Sequence, residues 1–197
     1  MTVLIATLLA AILARHFLLR YRDRASTRVS RQIIPDTLHA MQLDHIHNCI
    51  LPGSYDGLTR IDYAVLAPVG IVCVRAVTAT GKISADSGDP QWLMFGGPQP
   101  KQFLNPIIQN EGRAAALRKA LPDIPVFSVI VFTGRVRLPD ALPDNVIHAA
   151  ELQAWFNKLQ TLHDPATKLD AAWSKLQCAA LTDTATLRDF EAQLSFS

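Results

Sequence analysis

The pattern of hydrophobic and polar positions divides the chain into an apolar start, a basic connector and a long mixed segment. Residues 1–14 carry no charged side chain, and after Arg15 and His16 the apolar run resumes over 17–19. This stretch is about long enough to cross a bilayer if the Arg15 side chain reaches the lipid headgroups. We therefore predict a transmembrane anchor over residues 1–19. A cleaved signal peptide, a shallow membrane helix and a soluble core helix are the alternatives.

The basic connector predicts the orientation of this anchor. Residues 15–31 hold six arginines against Asp23, which gives a local charge of +5. Because positive residues accumulate on the cytoplasmic side of a membrane segment, we expect a single-pass protein of the inner or cytoplasmic membrane with its C-terminal body in the cytoplasm. Residues 20–42 are interpreted as a juxtamembrane linker that runs into a short helix.

From residue 43 onward the pattern alternates as in β-strands and then changes to helical spacing. Strand patterns cover 45–51, 60–66, 71–77, 82–84 and 126–132, and helical patterns cover 105–121, 149–162, 167–181 and 183–194. The segment 86–100 holds three Gly and three Pro and is interpreted as an ordered loop. This order predicts an α/β domain over 43–150, with a mixed sheet and a strand-strand-strand-helix-strand core, followed by a helical extension over 151–197.

Charge and cysteine content exclude several classes of protein. Residues 32–197 contain 13 Lys and Arg against 16 Asp and Glu, a net charge of −3, which argues against non-specific nucleic-acid binding as the main activity. Cys49, Cys73 and Cys178 are isolated, so a disulfide scaffold and a paired-cysteine zinc site are both excluded. Three unpaired cysteines fit a reducing compartment.

A set of short segments, each unspecific by itself, together resembles the nuclease-related domain (NERD) family over about residues 43–150. These segments are Thr59-Arg60-Ile61-Asp62-Tyr63, Gly70-Ile71-Val72-Cys73-Val74, Gly81-Lys82-Ile83, Pro90-Gln91-Trp92, Asn105-Pro106 with Gln109-Asn110, and Val129-Ile130-Val131-Phe132 with Asn145-Val146. The family is held to share the restriction-endonuclease-like fold, which agrees with the predicted order of elements.

The resemblance implies a metal-dependent phosphodiesterase core. In such a core an Asp at the end of one strand and a Glu-x-Lys on the next hold Mg²⁺ or Mn²⁺. Asp62 matches the Asp and Gln109 matches a Gln of the family, but Arg75 occupies the Glu position and Val77 the Lys position. Asp62 is then the one matched metal ligand, if the site is active at all.

These departures predict a degenerate site. The positive charge of Arg75 repels a divalent cation, and Val77 has no proton to donate. A Glu that the resemblance implies in the first helix has no counterpart, because no Glu precedes Glu111; Asp36 or Asp44 could replace it, but neither lies in a matching context. We therefore expect no cofactor and an ion pair between Asp62 and Arg75. Counting outward from Val69 would pair Asp62 with Ala76, so this contact requires a register shifted by one residue, which we predict.

Other residues that could carry chemistry each have a plainer interpretation. His45 and His47 share a strand face and could bind a metal, or they could simply be polar strand residues. Lys82 could replace the missing lysine or lie on the surface. Trp92 is interpreted as a loop anchor and Cys73 as a buried, inert thiol.

Three functions remain open. The first is a membrane-anchored, catalytically degenerate NERD protein that binds an unidentified nucleic-acid or protein partner. The second is an active metal-dependent DNA nuclease with a rearranged site, assisted by Gln109 and Lys82. The third is a structural or assembly module in which residues 151–197 contact another membrane protein.

Overall fold

The computed structural model describes residues 32–53 and 57–182, together with 187, 188 and 190. The first described element is helix α1 over 32–40. The strands are β1 (His45–Pro52), β2 (Leu58–Ala67), β3 (Gly70–Thr78), β4 (Gly81–Ser84), β5 (Gln91–Phe95), β6 (Lys101–Leu104), β7 (Val126–Thr133), β8 (Val136–Arg137) and β9 (Val146–His148). The helices that follow α1 are α2 (Pro106–Ala120), a short 3-10 helix (Ala149–Glu151), α3 (Leu152–Leu162) and α4 (Leu169–Ala179).

The main sheet is mixed, as the sequence predicts. Its order is β1-β2-β3-β7-β9, with antiparallel pairing among the first three strands and parallel pairing from β3 to β7 and from β7 to β9. Helix α2 connects the parallel strands β3 and β7. The Asn105 side chain accepts a hydrogen bond from Ile107 N–H at 2.9 Å, and Pro106 begins the helix without needing a partner for its nitrogen.

Helices cover both faces of this sheet. On one face, α1 and α3 contribute buried residues such as Leu38 and Phe156 to a core that includes Val72 and Val129. On the other face, α2 and α4 contribute Leu117, Trp173 and other buried residues to a second core. The first two helices predicted for the C-terminal extension, α3 and α4, thus supply buried side chains to the body of the domain.

The prediction of a loop over 86–100 is wrong in part, because β5 lies within it. Strands β6, β5, β4 and β8 form a second sheet in that order, with β5 antiparallel to β4 and β6. Trp92 is fully buried in β5 and its Nε1–H donates to the Asp86 carbonyl at 2.8 Å. The Gly and Pro residues lie in the turns around this short strand, and they mask its alternation in the sequence.

The other predicted strands and helices of the body are present, with ends that differ by a few residues. The predicted anchor over 1–19 lies outside the described residues, as does most of the predicted helix 183–194. Within the described part of the chain, no helix is both long and apolar enough to cross a membrane.

Candidate functional site

The hairpin of β2 and β3 sets the geometry of the candidate site. Ala67 pairs with Gly70 across a two-residue turn, and the ladder continues to Tyr63 opposite Val74. The next positions along the two strands are Asp62 and Arg75, so the shifted register predicted from the sequence is confirmed. Gly70 fits the turn because its φ is +147° and an added Cβ would lie 2.3 Å from the Pro125 carbonyl oxygen.

The backbone pairing of β2 and β3 ends at this point, and the Asp62 side chain bridges the two strands instead. Its Oδ2 accepts a hydrogen bond from Arg75 Nη1 at 2.7 Å and from Ala76 N–H at 3.0 Å. The side chains are 12% exposed for Asp62 and 23% exposed for Arg75. The predicted ion pair is therefore present in a largely desolvated setting, where a charge without a partner is costly.

The side chains of β2 also change, at Asp62, the core in which they pack. Ile61 packs in the α2/α4 core, whereas Tyr63, two residues later, packs in the α1/α3 core, although residues two apart on a regular strand share a face. On β1, Asn48 stands opposite Asp62 and has a left-handed φ of +57°. Asn48 and Asp62 both line an open space at this irregular part of the sheet.

That space is a cavity of about 680 Å³. It is lined by Gln32, Ile34, Pro35, His45, His47, Asn48, Arg60, Asp62, Tyr63, Arg75, Ala76, Thr78 and Thr133. Most of these side chains carry hydrogen-bonding groups, and Asp62 is the one carboxylate among them. The volume lies within the range of small-molecule sites, so the cavity is large enough to hold an organic ligand.

The histidines of β1 lie in this cavity, next to Asp62 and Tyr63. The His47 ring stacks on the Tyr63 ring with centroids 4.5 Å apart. Burial lowers the pKa of His47 below its ordinary value of 6.5, and the nearby Asp62 carboxylate opposes this shift without cancelling it. His47 is therefore mainly neutral at neutral pH.

Helix α2 adds a cation that the sequence interpretation missed. Arg113 donates from Nε to the Arg60 carbonyl at 2.9 Å and from Nη1 to the Gln109 carbonyl at 2.9 Å. Burial lowers the pKa of Arg113, and the positive charge of Arg75 lowers it further. Arg113 stays protonated in spite of this shift, so its charge adds to that of Arg75 next to Asp62.

Gln109, the other candidate from the family resemblance, is half-buried on α2 and does not line the cavity. Its described contribution is the backbone carbonyl that holds Arg113. Gln109 and Asp62 therefore do not line the same cavity. They are linked indirectly, because Arg113 hydrogen-bonds to the backbone carbonyls of both Gln109 and Arg60.

Asn110 is a second residue that the sequence interpretation left without a role. This fully buried amide donates to the Cys73 carbonyl at 3.0 Å and to Ser128 Oγ at 2.8 Å, and it accepts from Cys73 Sγ at 3.4 Å. Burial raises the pKa of the Cys73 thiol to about 12, which agrees with its prediction as an inert residue. Asn110 lies on the core-facing side of α2, in series with Ile107, Ala114 and Leu117. A polar residue among these apolar positions was the feature of the sequence that could have indicated a buried hydrogen-bonding role.

The residues around Asp62 do not fit a divalent cation. Arg75 already engages the Asp62 carboxylate, and Val77 packs in an apolar cluster with Phe132. Lys82 lies in the second sheet, where it pairs with Phe95 on β5. Across the described ranges, no three or more His, Cys, Asp or Glu side chains converge in a way that could hold a metal ion.

The mixed sheet, the β3-α2-β7 crossover and an acidic residue where β2 and β3 part define a restriction-endonuclease-like α/β domain. A family model described as nuclease-related domain, NERD, matches residues 27–133, which is more than half of the chain. The chain therefore belongs to the NERD family. Neither the curated proteins nor the solved structures contain a match to it.

Proposed function

We propose that this NERD protein is catalytically degenerate and acts as a binding module whose cavity next to Asp62 receives a partner without cutting it. The observation that carries the proposal is the ion pair between Asp62 and Arg75. A guanidinium is bound to the one matched acidic residue, at the place where the family resemblance implies a metal.

The energetic argument follows from the charges. A divalent cation at Asp62 would have to displace Arg75 and would then lie beside two guanidiniums, those of Arg75 and Arg113, against one carboxylate. Metal-derived stabilisation of a transition state amounts to several kcal/mol, and its loss costs on the order of a thousandfold in rate or more. Cleavage at a useful rate is therefore not expected from these residues.

The cavity itself supports a binding role. It is lined by both polar and apolar surface and includes two arginines, whose guanidinium groups are well suited to nucleic-acid or acidic protein partners. The excess of acidic residues over the whole body argues against a long nucleic-acid footprint.

The proposal includes membrane anchoring by residues 1–19, supported by the apolar pattern and the arginines that follow it. A reporter that is active only in the cytoplasm, fused after Ser197, should be active. Activity of a reporter that works only outside the cytoplasm would contradict this orientation.

Catalysis is tested with the full-length protein in detergent, incubated with plasmid DNA and either Mg²⁺ or Mn²⁺. We expect no cleavage above that of a buffer control. Robust metal-dependent cleavage that disappears in Asp62→Ala would overturn the proposal and select an active nuclease. Cleavage of equal strength in Asp62→Ala would come from a contaminating enzyme, because Asp62 is the one matched ligand.

A further inference from the structure

The wall of the cavity around Asp62 has an excess of positive charge. Arg75 and Arg60 line the cavity with Asp62, and Arg75 forms the ion pair with it. Arg113 does not line the cavity, but its charge interacts with Asp62 from α2. Arg113 is held in place by two backbone carbonyls, which carry no formal charge. The single negative charge of Asp62 therefore neutralises only one of the two positive charges, those of Arg75 and Arg113, that interact with it.

Arg75 also has a hydrogen-bond donor without an acceptor. Its Nη1 donates to Asp62, but its Nε–H is buried and has no partner in the part of the chain that the structure describes. Such a donor costs free energy unless a partner is supplied. The edge formed by Nε and Nη2 is the edge with which arginine binds two oxygens of one phosphate or carboxylate at once.

Arg75 lines the cavity together with neutral hydrogen-bonding groups. The hydroxyl groups of Thr78 and Thr133 lie 3.0 Å apart, and the Asn48 amide also lines the cavity. The cavity thus offers neutral hydrogen-bonding groups in addition to the Arg75 guanidinium. The cavity of about 680 Å³ leaves additional room for an organic group attached to that anion.

We propose that the cavity binds the phosphate group of a phosphate monoester, with Arg75 as the residue that contacts it. This inference rests on the proposed function, since it names the ligand chemistry of the same non-cutting site. A monoester has three free oxygens and a charge of about −1.5 to −2 at neutral pH, whereas a diester has two free oxygens and one charge. The monoester matches a concentrated positive site with several donors better than a diester does.

The charge distribution also argues against a long diester backbone as the ligand. Binding of such a backbone needs cations spread along many phosphates. Here three arginines lie at or beside one cavity, in a body whose residues 32–197 carry a net charge of −3. The monoester can come from a free small molecule or from the phosphorylated end of a nucleic-acid strand, and both present the same group.

The test is calorimetric titration of the full-length protein in detergent with phenyl phosphate, and with methyl phenyl phosphate as the diester control. We expect the monoester to bind and the diester to bind at least about tenfold more weakly. Arg75→Gln should weaken monoester binding about tenfold or more, because it removes a charge-assisted contact. The matched control is Arg118→Gln, since Arg118 is an exposed arginine of α2 that pairs with Glu111 outside the cavity.

A second variant separates binding from folding. Asp62→Asn keeps an oxygen for Ala76 N–H but removes the negative charge, so it should tighten phenyl phosphate binding several-fold. A purely structural role of this pair predicts no tightening. Short oligonucleotides with and without a 5′-phosphate distinguish the two sources of the monoester. If the natural ligand is the end of a nucleic-acid strand, the phosphorylated oligonucleotide should bind more tightly than phenyl phosphate.

Three results would overturn the proposal: absence of phenyl phosphate binding, equal affinity for monoester and diester, or unchanged affinity in Arg75→Gln. The plasmid assay is independent of these results. Cleavage there removes the non-cutting function, whereas failure of phenyl phosphate to bind in an inactive protein removes the monoester proposal alone.

Discussion

The Asp62 carboxylate lies 2.7 Å from Nη1 of Arg75 and simultaneously accepts the backbone N–H of the next residue, Ala76, at 3.0 Å. The Asp62 side chain thereby links β2 to β3 at the position where their backbone pairing ends. In a metal-dependent site this position would direct its oxygens at a cation in the cavity. Here the positive charge is supplied by the neighbouring strand.

The first prediction concerns Arg75→Glu. Without metal, two carboxylates would face each other in a partly buried place, so the melting temperature should fall. With Mn²⁺ it should rise again, because the two carboxylates would supply oxygen ligands for a hard cation. The measurement is thermal melting of the full-length protein with and without Mn²⁺.

Arg75→Gln is the control for this experiment, since it also loses the ion pair but adds no carboxylate. It should melt at a lower temperature than the unmodified protein and should not respond to Mn²⁺. If Arg75→Glu is destabilised and Mn²⁺ does not recover it, residues 62 and 75 do not converge as they do in this structure.

The second prediction concerns the two partners of Asp62. Asp62→Ala should lower the free energy of unfolding by about 1–3 kcal/mol, because Arg75 loses its counter-charge and Ala76 N–H loses its acceptor. The lower half of this range is expected, since both side chains are partly exposed. Asp62→Asn should be milder because it keeps an acceptor oxygen. Denaturant unfolding measures both, and an Asp62→Asn cost as large as that of Asp62→Ala would show that the Ala76 contact contributes nothing.

The register around Asp62 illustrates what the sequence can predict. The Pro68-Val69 turn allows two pairings, and local turn chemistry does not choose between them. The shifted register is predicted from the family resemblance, which implies that Asp62 and the residue at position 75 lie around one cation. The structure confirms that contact and adds the Ala76 N–H, which no side-chain pattern signals.

Strands β1, β2, β3 and β7 of the main sheet were predictable because they are long and their apolar runs are distinct. Strand β9, with three residues, was not predicted. Nor was the second sheet, because β5 and β6 are short and lie among Gly and Pro residues. The cavity was not predictable either, since it lies where Asn48 is left-handed and where β2 changes core between Ile61 and Tyr63. Such reversals arise from tertiary contacts and leave no periodic trace in the sequence.

The third prediction concerns pH. Burial lowers the pKa of His47 in the folded protein below 6.5, the value expected for the unfolded chain. Between these two values the unfolded state binds more protons, so the free energy of unfolding falls as the pH falls from about 7 towards 5. His47→Gln should make this fall smaller, as measured by denaturant unfolding at several pH values.

His39→Gln is the matched control for the pH experiment, because His39 lies on the exposed side of α1. It should leave the pH dependence as it is in the unmodified protein. An identical pH dependence in His47→Gln would contradict the burial of a neutral imidazole at this position.

The fourth prediction concerns Asn110, the buried amide that ties α2 to β3 and β7. Asn110→Ala should lower the free energy of unfolding by about 2 kcal/mol or more, because the partners at Cys73 and Ser128 stay buried and lose their contacts. Asn157→Ala, at an exposed position of α3, should change it by less than about 0.5 kcal/mol.

Asn110→Asp distinguishes the hydrogen-bond network from simple loss of volume. The new side chain has nearly the same shape, but burial of a carboxylate at this fully buried place should raise its pKa. The folded state then binds the proton more readily than the unfolded state, so the variant should be strongly destabilised at neutral pH and regain stability as the pH falls. Denaturant unfolding of Asn110→Asp and Asn110→Ala over the same pH range provides the comparison. Equal pH dependence of the two variants would mean that position 110 is hydrated when the protein is folded. The amide would then not be the link between the crossover helix α2 and strands β3 and β7, the first of which carries Arg75.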